Sequence, residues 1–217
     1  MKFLTILTLL LSMSTFAKET TLNVKIANLP PWLNVKNSKC IGGPICKLFT
    51  YIDNKEDMKI NYTVSSLARV NMASYQGKID IALFPLLDVF KKFYEPVGEY
   101  YRYKLGHYSK ASEKQVKCTT YRSPHKQKGQ EYVEVKSMEQ CFNMLKAGRV
   151  TDILITDFEL SMFLKTHKDL KIGKFTPFQD LSLWFYVNKK LPEEVKKSLK
   201  LHFNSLDLKK IQSEFSI

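Results

Sequence analysis

One pattern occurs twice in this chain, once in each half. It is Gly77-Lys78-Ile79-Asp80-Ile81-Ala82-Leu83 the first time and Gly148-Arg149-Val150-Thr151-Asp152-Ile153-Leu154 the second. Each reads as the end of a helix, a glycine, a basic residue, an aliphatic residue, an aspartate and an apolar strand. The glycine suits the position just past a helix, where the backbone turns left-handed. The apolar run at residues 79–84 (IDIALF) is of the kind a strand covered on both faces displays. Two such units point to two α/β lobes. A solenoid needs three or more repeats.

The rest of the mature region falls into the same alternation. Strands are expected at residues 22–27, 58–64, 100–108, 116–121, 132–135, 152–156 and 181–187. Helices are expected at 44–52, 67–75, 137–147, 158–166, 193–203 and 206–215. Ser137 with Gln140 three residues on has capping-box spacing. No Gly/Ser-rich or Pro-rich linker interrupts the chain, so ordered strands must join the lobes.

The start of the chain reads as an address. Met1-Lys2 precedes an apolar stretch at residues 3–16, and Thr15-Phe16-Ala17 ends on small residues before Lys18. This is a secretory signal peptide pattern over residues 1–17, with a mature start near Lys18 in the periplasm or medium. Export favours disulfides among the four cysteines. Of the three possible pairings, Cys40–Cys46 and Cys118–Cys141 are favoured. Free buried thiols and a metal site are the alternatives, and no cysteine or histidine pair has metal-ligand spacing. With 34 basic and 21 acidic residues the net charge is +13, which suits acidic partners or anionic surfaces. The lysines are scattered, with no basic run. Together with export, this argues against nucleic acid.

The signatures of enzyme chemistry are absent. The sequence contains no GxSxG elbow, P-loop or GxGxxG. His107, His125, His167 and His202 are dispersed and read as surface residues. Asp157 is the more informative acid, because it follows the strand at 152–156 and opens a helix. That is the carboxyl edge where α/β sheets bind ligands, and it is also a helix N-cap position. Trp32 and Phe84 follow strands in the same way and serve either as ligand-stacking or as core rings. Arg122 and Ser123 follow a strand of the second unit and offer an anion site. Arg69, on a largely apolar helix, is placed to reach a carboxylate or to face solvent.

Taken in order, these pieces resemble the extracellular solute-binding proteins of family 3, the substrate-binding type of amino-acid ABC transporters. The resemblance rests on Pro30-Pro31-Trp32 after the first strand, Gly42-Gly43 before a helix and Gly77-Lys78-Ile79-Asp80. It continues through Tyr100-Tyr101, Gly148 to Asp152 with Asp157, and Leu191-Pro192-Glu193. It implies an α/β, two-lobed type II periplasmic binding fold, with mixed sheets joined by two crossover strands. Lobe one would hold residues 22–103 and 186–217, and the inserted lobe two residues 104–185. It implies a monomer with no cofactor, capturing a small solute in the interlobe cleft and delivering it to an inner-membrane ABC transporter or a sensor. By position, Trp32, Arg69 and Phe84 would line the cleft from lobe one, and Arg122, Ser123 and Asp157 from lobe two.

One stretch departs from the family. Amino-acid binders usually carry Thr and then Glu-Arg after the Gly-x-x-Asp strand. Here Leu86-Leu87-Asp88-Val89-Phe90-Lys91-Lys92 has no Arg to clamp a carboxylate, and Lys is not equivalent at a bidentate site. The expected solute is therefore small and polar or anionic rather than an ordinary α-amino acid. Two alternatives are a prephenate-type dehydratase using Asp157, Glu95 or Glu159 as an acid, and an envelope interaction protein with a degenerate site.

Overall fold

The computed structural model describes residues 19–37, 39–110, 116–120, 129–170 and 173–215. The expected signal peptide and the candidates Arg122 and Ser123 lie outside them. The first elements are β1 (Thr20–Ile26), β2 (Asn34–Lys36), β3 (Lys39–Gly42), α1 (Pro44–Asp53), β4 (Met58–Val64), α2 (Leu67–Tyr75) and β5 (Ile81–Pro85). A one-turn 3-10 segment, Asp88–Lys92, leads into the long β6 (Tyr94–Ser109). Then follow β7 (Lys117–Thr120), β8 (Val133–Val135), α3 (Met138–Lys146), β9 (Asp152–Thr156), α4 (Asp157–Thr166), β10 (Lys174–Asn188), α5 (Glu193–Asn204) and α6 (Leu208–Phe215).

β6 and β10 form the spine. They pair antiparallel from Tyr94–Asn188 to Ser109–Lys174. β5 joins one end of this ribbon beside Leu183–Val187 of β10. β9 joins the other end beside Leu105–Ser109 of β6, with β7 and β8 beyond it. Around residues 101–104 and 180–182 the ribbon has no third strand. β1 and β4 pair in parallel along their whole length. Asp80, just before β5, takes the Asn23 backbone N–H of β1 on its carboxylate at 2.6 Å.

The repeated units close alike. At the end of α2, Gly77 N–H donates to Ser74 O and Lys78 N–H to Ala73 O, at 3.0 and 2.9 Å. At the end of α3, Gly148 N–H donates to Leu145 O and Arg149 N–H to Met144 O, at 3.1 and 2.9 Å. These are matching Schellman caps. The two glycines have nearly equal left-handed backbone angles, with φ 64 for Gly77 and φ 68 for Gly148. The aspartate of each unit then ties its strand to a neighbour, Asp80 to β1 and Asp152 to the Ser109 hydroxyl of β6. The capping box at Ser137–Gln140 forms as expected. Asp157, expected as a helix N-cap, is instead the first residue of α4, and Thr156 caps that helix. The Thr156 hydroxyl accepts Glu159 N–H at 3.1 Å. The Glu159 carboxylate in return accepts Thr156 N–H at 3.2 Å. This is a second capping box.

Three apolar clusters fill the molecule. The first packs β1, β4 and α1 with Tyr100, Tyr101 and Tyr103 of β6, and it also takes in Phe158 of α4. The second lies under α3 and α4, with Phe142 stacked on Phe163 at 4.1 Å. The third gathers Phe90, Tyr94 and Tyr186. Both favoured disulfides are present, Cys40 of β3 to Cys46 of α1 and Cys118 of β7 to Cys141 of α3. No helix among the described residues is long and apolar enough to cross a membrane.

The disulfides close chain segments of different length, with sequence separations of 6 and 23. Loop-closure entropy then predicts a loss of about 2 kcal/mol for Cys40→Ala/Cys46→Ala and about 3.5 kcal/mol for Cys118→Ala/Cys141→Ala. Urea denaturation of the two double variants checks the order, which a larger loss at Cys40–Cys46 would contradict.

α5 is tied to the turn before β4. Asp57 accepts a hydrogen bond from the Ser198 hydroxyl and lies 2.9 Å from His202 Nε2. Desolvation pushes the Asp57 carboxyl up, but the bonds from Ser198 and His202 outweigh it and hold the pKa below the usual carboxylate value. A carboxyl with a lowered folded pKa contributes stability above its unfolded pKa and loses it as pH falls through the folded one. Asp57→Asn is therefore expected to lower stability at neutral pH and to flatten the acid limb below about pH 4. Unfolding free energies between neutral and strongly acidic pH measure both effects.

Candidate functional site

The loop after β1 carries Trp32 to the middle of the molecule. Gly43 fixes this loop. Its φ is positive, and a Cβ there would meet Trp32 O at 2.4 Å. The start of α1 therefore lies directly on the Trp32 backbone, and Ile45 N–H donates to Trp32 O at 3.2 Å. The indole stands edge-on to Tyr101, Tyr103 and Phe158, with centroids at 5.6, 4.9 and 4.4 Å. Trp32 Nε1 donates to Glu159 Oε1 at 3.1 Å. The loop of β1, the ribbon strand β6 and the first turn of α4 thus meet at one ring.

Asp157 is held beside it. Its Oδ1 accepts Lys104 N–H of β6 at 3.0 Å and Phe158 N–H at 2.7 Å. Lys104 lies where the ribbon lacks a third strand, so the carboxylate stands in for a missing partner. On the same edge the Gln212 amide of α6 pairs with both backbone groups of Arg102, accepting at 3.1 Å and donating at 2.5 Å. A hollow of about 620 Å³ lies over this edge, lined by Glu99, Arg102, Lys104, Asp157, Lys209 and Gln212 among others. Burial drives the Tyr103 hydroxyl up to about 12, with the Glu159 and Asp157 charges adding to the effect. Burial likewise raises Tyr101, with Asp157 adding.

The other expected site residues are dispersed. Phe84 stacks on Phe90 at 4.6 Å and packs against the third core cluster. Arg69 is exposed on α2 and makes no ion pair with a described residue. Glu95, weighed as an acid, faces Lys196 and Lys200 of α5 at 3.8 and 3.5 Å, away from Trp32. The three described histidines, read as surface residues, are part-buried, His202 against Asp57, His107 edge-on to Phe178 at 5.2 Å and His167 stacked on Phe163 at 4.3 Å. Burial lowers the His107 pKa, Lys117 acts in the same direction, and Asp152 opposes them. The sequence reading does not reach the Trp32–Glu159 link. Its trace there is the capping-box spacing of Thr156 and Glu159, which fixes where that carboxylate points. Among the described residues no group of three His, Cys, Asp or Glu side chains could hold a metal ion.

No family model and no curated protein sequence matches the chain. Solved structures do. A reconstructed ancestral cationic amino acid solute-binding protein superposes with a TM-score of 0.71 at 14% identity, covering 91% of this chain and 96% of its own. The unliganded, open L-cystine solute receptor of Neisseria gonorrhoeae gives 0.64 at 15% identity, over 92% and 94%. A periplasmic Venus-flytrap domain of Bordetella pertussis BvgS gives 0.66 at 12% identity, over 90% and 93%. The chain has the two-lobed Venus-flytrap fold. The repeated helix–Gly–strand units lie at opposite ends of the β6–β10 ribbon, with β5 beside β10 and β9 beside β6.

The Trp32 nest makes a direct prediction. Trp32→Phe keeps most of the ring contacts and loses the bond to Glu159, at a cost of about 1 kcal/mol. Trp32→Ala also empties the nest and costs about 3 kcal/mol or more. Chemical denaturation separates the two, and equal losses would show that the hydrogen bond, not the ring, carries the contact.

Proposed function

We propose that this chain is an exported, monomeric solute-binding protein that closes its two lobes around a small solute and passes it to a membrane transporter or sensor. The fold supports this reading, as do structural neighbours that include a cystine receptor and a cationic amino acid binder. The observation that carries it is the meeting of Trp32, in the loop after β1, with Phe158 and Glu159 of α4, over a bare stretch of the β6–β10 ribbon. Closure in binding proteins turns on a few residues of such crossovers. Lobe one would comprise residues 22–103 and 186–217, lobe two residues 104–185. Trp32, Arg69 and Asp157 are the described candidates for touching the solute, together with Arg122 and Ser123. Phe84 supports the wall from behind through Phe90. The protein binds and releases its solute without chemistry and needs no cofactor.

Gently purified exported protein should carry a stoichiometric small molecule in native mass spectrometry. Saturating the emptied protein with that molecule at about 100 times its Kd should raise the unfolding free energy by about 2.7 kcal/mol. An empty cleft, with no stabilisation by any amino-acid-like or polar solute, would refute the reading. Turnover of the bound molecule would move the protein to the enzymes.

A further inference from the structure

The one-turn segment Asp88–Lys92 is pinned by two aromatic rings. Phe90 stacks on Tyr75 of α2 at 5.2 Å and on Phe84 at 4.6 Å. Phe93, just past the segment, packs on the end of α2, where a Cβ at Gly77 would meet its Cγ at 2.7 Å. The Phe93 carbonyl accepts Lys189 N–H at 2.9 Å, which brings in the turn after β10. Five lysines therefore gather around one segment. Lys78 follows Gly77, Lys91 and Lys92 lie in the segment, and Lys189 and Lys190 form the turn; all five are exposed.

Little offsets this charge. Lys92 Nζ lies 5.1 Å over the Phe93 ring, and Lys189 Nζ donates to Lys91 O at 2.5 Å. A ring or a carbonyl holds an ammonium in place without cancelling its charge. Of the acids nearby in the chain, Asp88 pairs with Lys91 at 2.7 Å. Asp80 is turned to the Asn23 N–H of β1, and Glu95 to Lys196 and Lys200 of α5. Apolar side chains stand out beside the lysines. Val89 is 53% exposed and shares a face of the 3-10 turn with Lys92, three residues on. Tyr75, stacked on Phe90, is 47% exposed, and Met72, three residues earlier on the same face of α2, is 60% exposed. Protein–protein interfaces are poor in lysine and rich in arginine. These five cations are all lysines, and lysines mixed with single apolar side chains suit an anionic headgroup layer.

We propose that this face docks the protein on an anionic phospholipid surface, with the lysines against the phosphates and Met72 and Val89 reaching the headgroup–acyl boundary. The proposal does not depend on the solute-binding reading.

The full mature protein is sedimented with vesicles of phosphatidylcholine alone and with vesicles that also contain phosphatidylglycerol. Three variants are compared with it. Lys78→Gln/Lys92→Gln/Lys190→Gln removes charge from the patch. Lys136→Gln/Lys165→Gln/Lys168→Gln removes the same charge from exposed positions on and around α3 and α4. Met72→Gln/Val89→Gln keeps the charge and removes the apolar pair. All the substituted side chains are exposed, so circular dichroism and melting temperature should not change. The expected result is binding to the phosphatidylglycerol vesicles only, released by raising the salt. The patch triple variant should bind at least about tenfold more weakly. The Met72/Val89 variant should also bind more weakly, and the second triple variant should bind nearly as well as the native protein. No binding to the anionic vesicles, equal binding to phosphatidylcholine alone, or equal losses in the two triple variants would overturn the proposal. So would a Met72/Val89 variant that binds as well as the native protein. A patch needed for a complex with an acidic protein, with no vesicle binding, would make this face a protein interface instead.

Discussion

The structure depends on how two strands cross open space without a third. Between the strands added at either end, residues 101–104 of β6 pair only with β10. Their outward backbone groups would otherwise need water or cost about 1–3 kcal/mol each when covered. Side chains from both sides answer that need. Gln212 of the C-terminal helix takes both groups of Arg102, and Asp157 takes the N–H of Lys104. Two helices, α6 and α4, therefore grip the same bare edge through one side chain each, at the next-but-one residues Arg102 and Lys104.

The aromatic nest supplies the complementary contact on the ribbon. Tyr101 and Tyr103 present their rings to Trp32. Phe158 completes the nest, and although it comes from α4 it belongs to the first core. A residue of α4 thus completes the core built on β1, β4 and α1. Gly43 makes this possible, because only a residue without Cβ lets α1 start against the Trp32 carbonyl. A β-carbon there would push the Trp32 loop off α1 and pull the indole away from Phe158.

Much of this is legible in the sequence where the signal is local. The limits of β4, α2 and β9 follow from alternation, helical period and glycine placement, and the repeated Gly–basic–aliphatic–Asp unit marks equivalent caps after α2 and α3. The disulfides follow from loop length and compartment. The long ribbon is less legible. Pro96, Gly98 and a run of tyrosines obscure the period of β6, and Pro177 and two further register shifts do the same in β10. The N-cap of α4 is easily misassigned because aspartate and threonine are both good caps, and only Glu159, three residues after Thr156, distinguishes them. Phe84 cannot be divided between core and cleft from sequence, since that depends on Phe90, whose inward turn is a tertiary fact. The bare edge of the ribbon has no local signature, so the partners of Gln212 and Asp157 are out of reach.

These points bear on recognition. Counted by formula, the start of α4 brings two carboxylates to the middle of the molecule, which suggests a strongly acidic site. Their partners show otherwise. Both sit in the first turn, where the helix dipole compensates negative charge. Glu159 is divided between its own cap and the Trp32 indole, and Asp157 Oδ1 between Phe158 and the ribbon. Three of the four carboxylate oxygens thus serve architecture, so the charge acts mainly on how α4 meets the ribbon and the Trp32 loop. The 86–92 segment carries no arginine, and its Lys91 and Lys92 sit against Asp88 and the Phe93 ring, whereas Arg69 on α2 is exposed and makes no ion pair with a described residue.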